Sequence, residues 1–229
     1  MTTAERSSDA FGTLHLEHSS TVDRVADELR RAVFEGELES GTPLREVALA
    51  ESLGVSRPTL REALAVLVAE GLATREPHRG VSVASPDPES VRDVSRVRSV
   101  LETAGVQHWP TAGEGARDAV RSALGAYESA VADHASYQEL NQRHLAIHLS
   151  LVGLTESPRL VAMAESVVAE LRLALAQIDR VRRNARDQAG EHHHLLELLE
   201  AGDVDAAVAE LTHHLAGAED AIIERLDLD

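Results

Sequence analysis

The sequence predicts a mainly α protein, an N-terminal winged helix-turn-helix followed by an all-α antiparallel helical bundle. Three observations carry that prediction. Between Leu44 and Val83 two short helical patterns flank a glycine turn and lead into two short β-leaning runs. Ser85-Pro86-Asp87-Pro88 then interrupts the pattern, because two prolines so close together break both helix and sheet. Beyond it almost every segment carries apolar residues at helical spacing. The expected division is an arm over 1–20, a winged helix-turn-helix over 21–84, a linker over 85–88 and a bundle over 89–229.

The first twenty residues are polar, rich in Ser and Thr and aperiodic, which predicts a disordered arm. Thr21 to Glu35 reads as the first helix, with Val22, Val25, Leu29 and Val33 on its buried side. Glu46 to Leu53 spaces Val47, Ala50 and Leu53 helically, and Gly54 supplies the left-handed residue that stops a helix. Ser56 is the expected N-cap of the next helix, and Pro58 falls in its first turn, where a missing N–H costs little. Leu60, Ala63, Leu64 and Leu67 give that helix one buried face, leaving Arg57, Thr59 and Arg61 outward near its start. After Gly71, the runs Leu72–Arg75 and Gly80–Val83 predict a hairpin around Pro77, with His78, Arg79 and Gly80 at its tip. Further helices are expected near 89–107, 114–133, 136–152, 158–181, 185–201 and 203–226, with Pro158 as a start, Gly202 as a stop and Asp203 as an N-cap. Trp109 is placed to seal one end of the bundle.

A helix presented as 57–67 is fits the DNA major groove with its first residues nearest the base edges. Arginine suits that place, since its planar fork can donate two hydrogen bonds to guanine O6 and N7. Residues 22–83 resemble the winged helix-turn-helix domain of GntR-type transcriptional regulators. The resemblance rests on Leu29-Arg30, Gly36…Gly41…Leu44, Leu49-Ala50, Leu53-Gly54-Val55-Ser56-Arg57, Leu60-Arg61-Glu62-Ala63-Leu64, Leu67, Glu70-Gly71-Leu72 and Arg79-Gly80. It implies a double-stranded DNA operator as partner and Arg45, Ser56, Arg57, Thr59, Arg61, His78, Arg79 and Gly80 as the DNA-facing set. Two positions depart from the family pattern: Pro58-Thr59 reverses the usual Thr-Pro order, and Val47 replaces a residue that is often basic.

The net charge of −17 divides unevenly. Residues 21–84 hold 8 Arg against 11 acidic residues, residues 85–229 hold 13 against 25, and the first twenty supply the remaining −2. DNA affinity is therefore expected to be modest and salt-sensitive, with specificity resting on a few arginines. With no cysteine, thiol and disulfide chemistry are excluded. Without an apolar run of about 18 residues or a signal-peptide core, a cytoplasmic protein with no membrane partner is expected.

Most of the 12 histidines fall in three groups: His144 and His148, His192 to His194, and His213 with His214. His144 and His148 are four apart and share a helix face, the spacing at which two imidazoles grip one divalent ion such as zinc or nickel. Each later group offers a further imidazole from another helix. From Val91 onward the chain resembles the FCD-type ligand-binding domain of FadR-like regulators. That resemblance rests on Arg98…Leu101-Glu102, Ile147-His148, Ser157-Pro158-Arg159-Leu160, Glu191-His192, Gly202-Asp203, Ala207 and His214-Leu215. It implies a metal site of His148, His192 and His214, with His144 at the position usually held by aspartate. An all-imidazole set removes one negative charge and so favours an anionic ligand.

Arg98 and Glu102 form an i,i+4 pair, worth a few tenths of a kcal/mol at a surface. The resemblance instead puts Arg98 against an effector carboxylate, where bidentate geometry suits it. It also implies a homodimer on a short palindrome, with small-molecule control of DNA affinity. The expected protein is a regulator, not an enzyme. The rival readings are a metal-dependent hydrolase with a DNA-anchoring head and a regulator whose histidines bind the effector without metal. For the hydrolase no His-Glu-x-x-His pattern is present, and Glu191 is the one carboxylate adjacent to a candidate ligand.

Overall fold

A computed structural model describes residues 20–226 apart from 86 and 183. The predicted arm therefore lies outside the described residues except for Ser20, which is the N-cap of the first helix. Its hydroxyl accepts from the Asp23 N–H at 3.1 Å, while the Asp23 carboxylate accepts from the Ser20 N–H at 2.8 Å, a reciprocal capping box.

The head comprises α1 (Thr21–Phe34), α2 (Glu46–Leu53), α3 (Arg57–Ala69), β1 (Ala73–Glu76) and β2 (Gly80–Val83). Val25, Leu29 and Val33 are buried as the period predicts, while Val22 is half-buried. Val47 faces solvent at 53% exposure, so α2 buries Ala50 instead and leaves Leu53 partly covered. Gly54 adopts φ +65 as the α2 C-cap, and the Ser56 hydroxyl accepts from the Thr59 N–H at 3.2 Å. Leu60, Ala63, Leu64 and Leu67 are wholly buried beneath the antiparallel wing, whose register pairs Ala73 with Val83 and Glu76 with Gly80. The first wing strand starts and ends one residue later than expected, because Leu72 is spent in the core as α3 turns into the wing.

The bundle runs through α4 (Pro88–His108), α5 (Glu114–Ala132), α6 (Tyr137–Gly153), α7 (Pro158–Arg182), α8 (Ala185–Glu200) and α9 (Val204–Leu226). The linker is shorter than the proline pair suggested. Pro88 is the first residue of α4, and Asp87 caps it by accepting from the Ser90 N–H at 3.0 Å. Trp109 is buried at the end of α4, with the Arg117 and Arg121 guanidinium groups 5.8 and 5.6 Å from its ring. One bundle residue belongs to the other half of the molecule: Leu173 of α7 is 2% exposed and lies in the core cluster of the head with Leu60, Leu64 and Leu67. Among the described residues no helix is long and apolar enough to cross a membrane.

Candidate functional site

Four imidazoles from three helices meet inside the bundle. The α6 face that carries Leu145, Ile147 and Leu151 into the core also buries His144 and His148. The α8 face of Leu195 and Leu199 buries His192, and α9 adds the half-buried His214. One ligand-competent nitrogen from each lies within 4.8 Å of all the others. The Nε2 atoms of His144 and His148 are 3.3 Å apart, as are those of His148 and His192.

Their hydrogen bonds fix the tautomers. His148 Nδ1–H donates to Glu102 Oε2 at 2.8 Å, His192 Nδ1–H to the Gln188 carbonyl at 2.7 Å and His214 Nδ1–H to Glu191 Oε2 at 2.9 Å. Each partner accepts, so each of these rings carries its proton on Nδ1 and turns the Nε2 lone pair toward the centre. The Nε2 lone pairs of His148 and His192, 3.3 Å apart, repel unless a cation lies between them. Two of the separations match the edge of a tetrahedron built on zinc–imidazole bonds of about 2.0–2.1 Å, while the four nitrogens as a set lie within 4.8 Å of one another. Burial and neighbouring imidazoles push His144 and His148 far below their usual range, and burial takes His192 down to about 3. His144, His148 and His192 are thus favoured in the neutral form, the form in which imidazole binds a metal.

Behind His148 stands a second layer. Glu102 is 2% exposed and bridges His148 and Arg98, whose Nε–H donates to Glu102 Oε1 at 2.8 Å. Burial pushes the Glu102 carboxyl up, against the pull of Arg98. The i,i+4 pair of the sequence is therefore a buried link into the histidine cluster. Arg98 is half committed: its Nη2 is buried without a partner. Close approach of α4 and α6 makes the link possible, since Gly105 abuts the Leu151 carbonyl so tightly that a Cβ would sit 1.9 Å from its oxygen.

His193, His194 and His213 face solvent, His193 donating to Glu128 at 2.9 Å. Arg143 is exposed and pairs with Glu139, away from the cluster, whereas Arg172 has a buried Nε. The side chains of Arg180, Arg182 and Arg183 lie outside the described residues, and Arg186 is exposed. Glu191 accepts a hydrogen bond from His214 Nδ1–H at 2.9 Å, so both carboxylates at the histidines, Glu102 and Glu191, are already engaged as positioning groups.

In the head, Arg45, Arg57, Arg61, His78, Arg79 and Gly80 are all exposed, with Arg57 the first residue of α3. Ser56 is occupied as the cap, and its hydroxyl lies 2.8 Å from that of Thr59. Arg61 is held by Glu46 at 2.6 Å and Arg79 by Glu76 at 3.1 Å, two exposed pairs that DNA phosphate or bases would have to displace. Arg57 has no such restraint among the salt bridges of the described residues. At the wing tip His78 adopts φ +66 and leads directly into Arg79.

Comparison with known proteins agrees with this arrangement. The profile of bacterial regulatory proteins of the gntR family matches residues 21–83, and that of the FCD domain matches residues 93–217. A Paenarthrobacter nicotinovorans protein named "Probable D-xylose utilization operon transcriptional repressor" is 28% identical over 88% of each chain. The gluconate operon transcriptional repressor of Bacillus licheniformis is 40% identical over 38% of this chain and 36% of its own. Among solved structures, a GntR transcriptional regulator from Rhodococcus sp. RHA1 is 30% identical and covers 90% of this chain and 99% of its own, with a TM-score of 0.72. These relatives are named as transcriptional regulators, which lends the metal-dependent hydrolase reading no support. With a winged head built to present α3 and a bundle enclosing four imidazoles, the chain belongs to the gntR family of transcriptional regulators, as a ligand-responsive DNA-binding protein whose effector-binding half is an FCD domain.

Proposed function

We propose that the chain acts as a cytoplasmic homodimer whose DNA affinity is set by a small carboxylate bound beside a zinc or nickel ion. The observation that carries this reading is the convergence of imidazole Nε2 lone pairs 3.3 Å apart, with Nδ1 of three rings already bonded elsewhere. His144, His148, His192 and His214 would hold the ion, which supplies a Lewis-acidic anchor for an anionic oxygen. Four neutral imidazoles leave the dication's charge uncompensated at the ligands themselves, which favours an anion as effector. Arg98 adds a buried guanidinium with one nitrogen uncommitted, suited to a carboxylate oxygen.

On DNA, Arg57, Thr59 and Arg61 at the start of α3 would read the major groove, while Arg45, Ser56 and the wing tip at His78–Gly80 would contact the backbone. Two heads related by a two-fold axis would match a palindromic operator. The effector alters regulation to the extent that its affinity differs between the DNA-bound and free arrangements, and about 1.4 kcal/mol of coupling gives a tenfold change. The direct test is elemental analysis of untagged protein purified without chelator, with melting and operator binding measured before and after EDTA. Near-stoichiometric zinc or nickel, lost to EDTA together with thermal stability, supports the reading. Metal-free protein whose melting and operator binding ignore added zinc and nickel overturns the metal centre and leaves the regulator with histidines that bind effector directly.

A further inference from the structure

Three of the four imidazoles are sealed from water, His144, His148 and His192 each being between 1% and 3% exposed. An ion reaches them only past a side chain that moves. One candidate is His214, whose side chain is 10% exposed. It is itself a prospective ligand, held by Glu191 with Nε2 turned inward, so swinging it out removes one arm of the site. Another is Tyr127 of α5, whose movement removes none of the four imidazoles.

The Tyr127 ring stacks on His144 at 5.5 Å and meets His192 edge-on at 6.4 Å. Its hydroxyl is tied to the first turn of α8, donating to Gln188 Oε1 at 3.0 Å with the Ala185 carbonyl at 3.3 Å. Gln188 serves both sides, since its backbone carbonyl accepts from His192 Nδ1–H. Tyr127, Ala185 and Gln188 also line a cavity of about 540 Å³ beside the exposed His134, and none of the four histidines belongs to its lining. Tyr127 therefore stands between the two spaces, its ring against the histidines and its hydroxyl bonded to residues of the cavity wall. A zinc ion carrying six waters of about 30 Å³ each occupies roughly 180 Å³, so the cavity has room for it. The same space lets the ring turn outward, whereas His144 blocks the opposite movement.

We propose that this cavity is the antechamber through which a metal ion enters and leaves the histidine cluster, and that Tyr127 is its door, latched by the hydrogen bond to Gln188. This rests on the proposed binding of an ion by the four histidines. The latch joins two side chains outside the ligand set, so it is closed in the metal-free and the loaded chain alike. Weakening it lowers the barrier to entry and to exit by the same amount and leaves the difference between the end states as it was. Tyr127 thus sets how fast the ion exchanges and has no part in how tightly it is held.

The test is stopped-flow zinc transfer on the EDTA-treated full chain, with uptake from buffered zinc and release to an excess of a chromophoric chelator. Tyr127→Phe keeps the ring and removes the latch. Both of its rates are expected to rise about three- to tenfold, the worth of one hydrogen bond, with the dissociation constant as in the parent. Rates equal to the parent's, or slower, overturn the door. A rise in one rate alone shows that the hydroxyl merely steadies one end state, and overturns it as well. If Glu191→Gln quickens both rates while Tyr127→Phe does not, passage runs at His214 instead. Ala185→Trp narrows the cavity and is expected to slow uptake and release together; a folded variant with the parent's rates overturns the antechamber, and Tyr127→Phe decides if it does not fold. A parent chain that takes up no zinc overturns the passage and the metal reading together.

Discussion

His148 is gripped from both sides, its Nδ1–H by Glu102 and its Nε2 by the space shared with His144 and His192. Partners of this kind orient a ligand and raise its basicity, and losing one weakens metal binding about 10–100-fold. Glu102→Gln is therefore expected to lower zinc affinity by that factor in chelator competition, with the far-UV spectrum unchanged. Unaltered zinc affinity would mean that Glu102 serves packing alone. The same residues set a pH dependence in metal-free protein. His144, His148 and His192 take protons near pH 6.5 when unfolded but resist them when folded, His192 down to about 3. Below pH 6.5 the unfolded state therefore binds more protons, so the stability present above that value is lost as pH falls. Glu102, raised by burial, works in the opposite sense but is one group against three. The melting temperature of EDTA-treated protein should fall steadily from pH 7 to pH 5; a flat profile would contradict neutral buried rings. At the DNA face, Arg57→Ala should weaken operator binding by about 1–3 kcal/mol at fixed salt without changing the fold. Fluorescence anisotropy with the cognate and a scrambled duplex would detect this, and equal binding by parent and variant would remove Arg57 from the recognition set.

Among the elements, those legible in the sequence were the ones whose causes are local. The Ser56 cap, the Gly54 stop and the four-residue spacing of Leu60, Ala63, Leu64 and Leu67 all act within one or two turns, and α3 follows directly from them. His144 and His148 were readable for the same reason, as neighbours on one face of α6. Glu102 was visible only as a partner of Arg98, because its contact with His148 depends on two helices fixed in register across 46 residues. Gly105 held the signal for that approach, though a glycine inside a helix does not name what it approaches. Val47 misled because its spacing matches Ala50 and Leu53, which are covered, while Val47 itself is left in solvent at the first turn of α2. These origins imply different sensitivities. Ser56→Ala should cost about 1 kcal/mol in chemical denaturation through loss of the cap. Gly105→Ala should cost about 1–3 kcal/mol by forcing α4 from α6, and should also impair zinc binding, since it moves Glu102 away from His148. Normal zinc affinity in a destabilised Gly105→Ala chain would separate the helix contact from the metal centre.

Across the whole molecule, α6 runs between the two functions. Its middle carries His144 and His148, while Ser136 and Gln138 at its start line a cleft shared with Arg24 of α1 and the Leu53–Val55 turn of the reading head. A shift of α6 along its axis would thus be felt at both the histidines and the turn before α3, a mechanical route for the control described above. The second tie is Leu173, a bundle residue counted in the core of the head. Leu173→Ala should cost about 2–5 kcal/mol and lower a single melting transition seen by calorimetry. Two separable transitions, with the bundle unaffected, would show that the halves fold independently. The same leucine bears on how such proteins can be recombined. A head transplanted onto a foreign bundle would arrive with an empty socket, and this bundle under a foreign head would present a greasy peg to water. Exchange of DNA specificity between relatives is then workable only where the recipient supplies an apolar residue of similar size at that point, which makes position 173 the junction to match before any chimeric regulator is built.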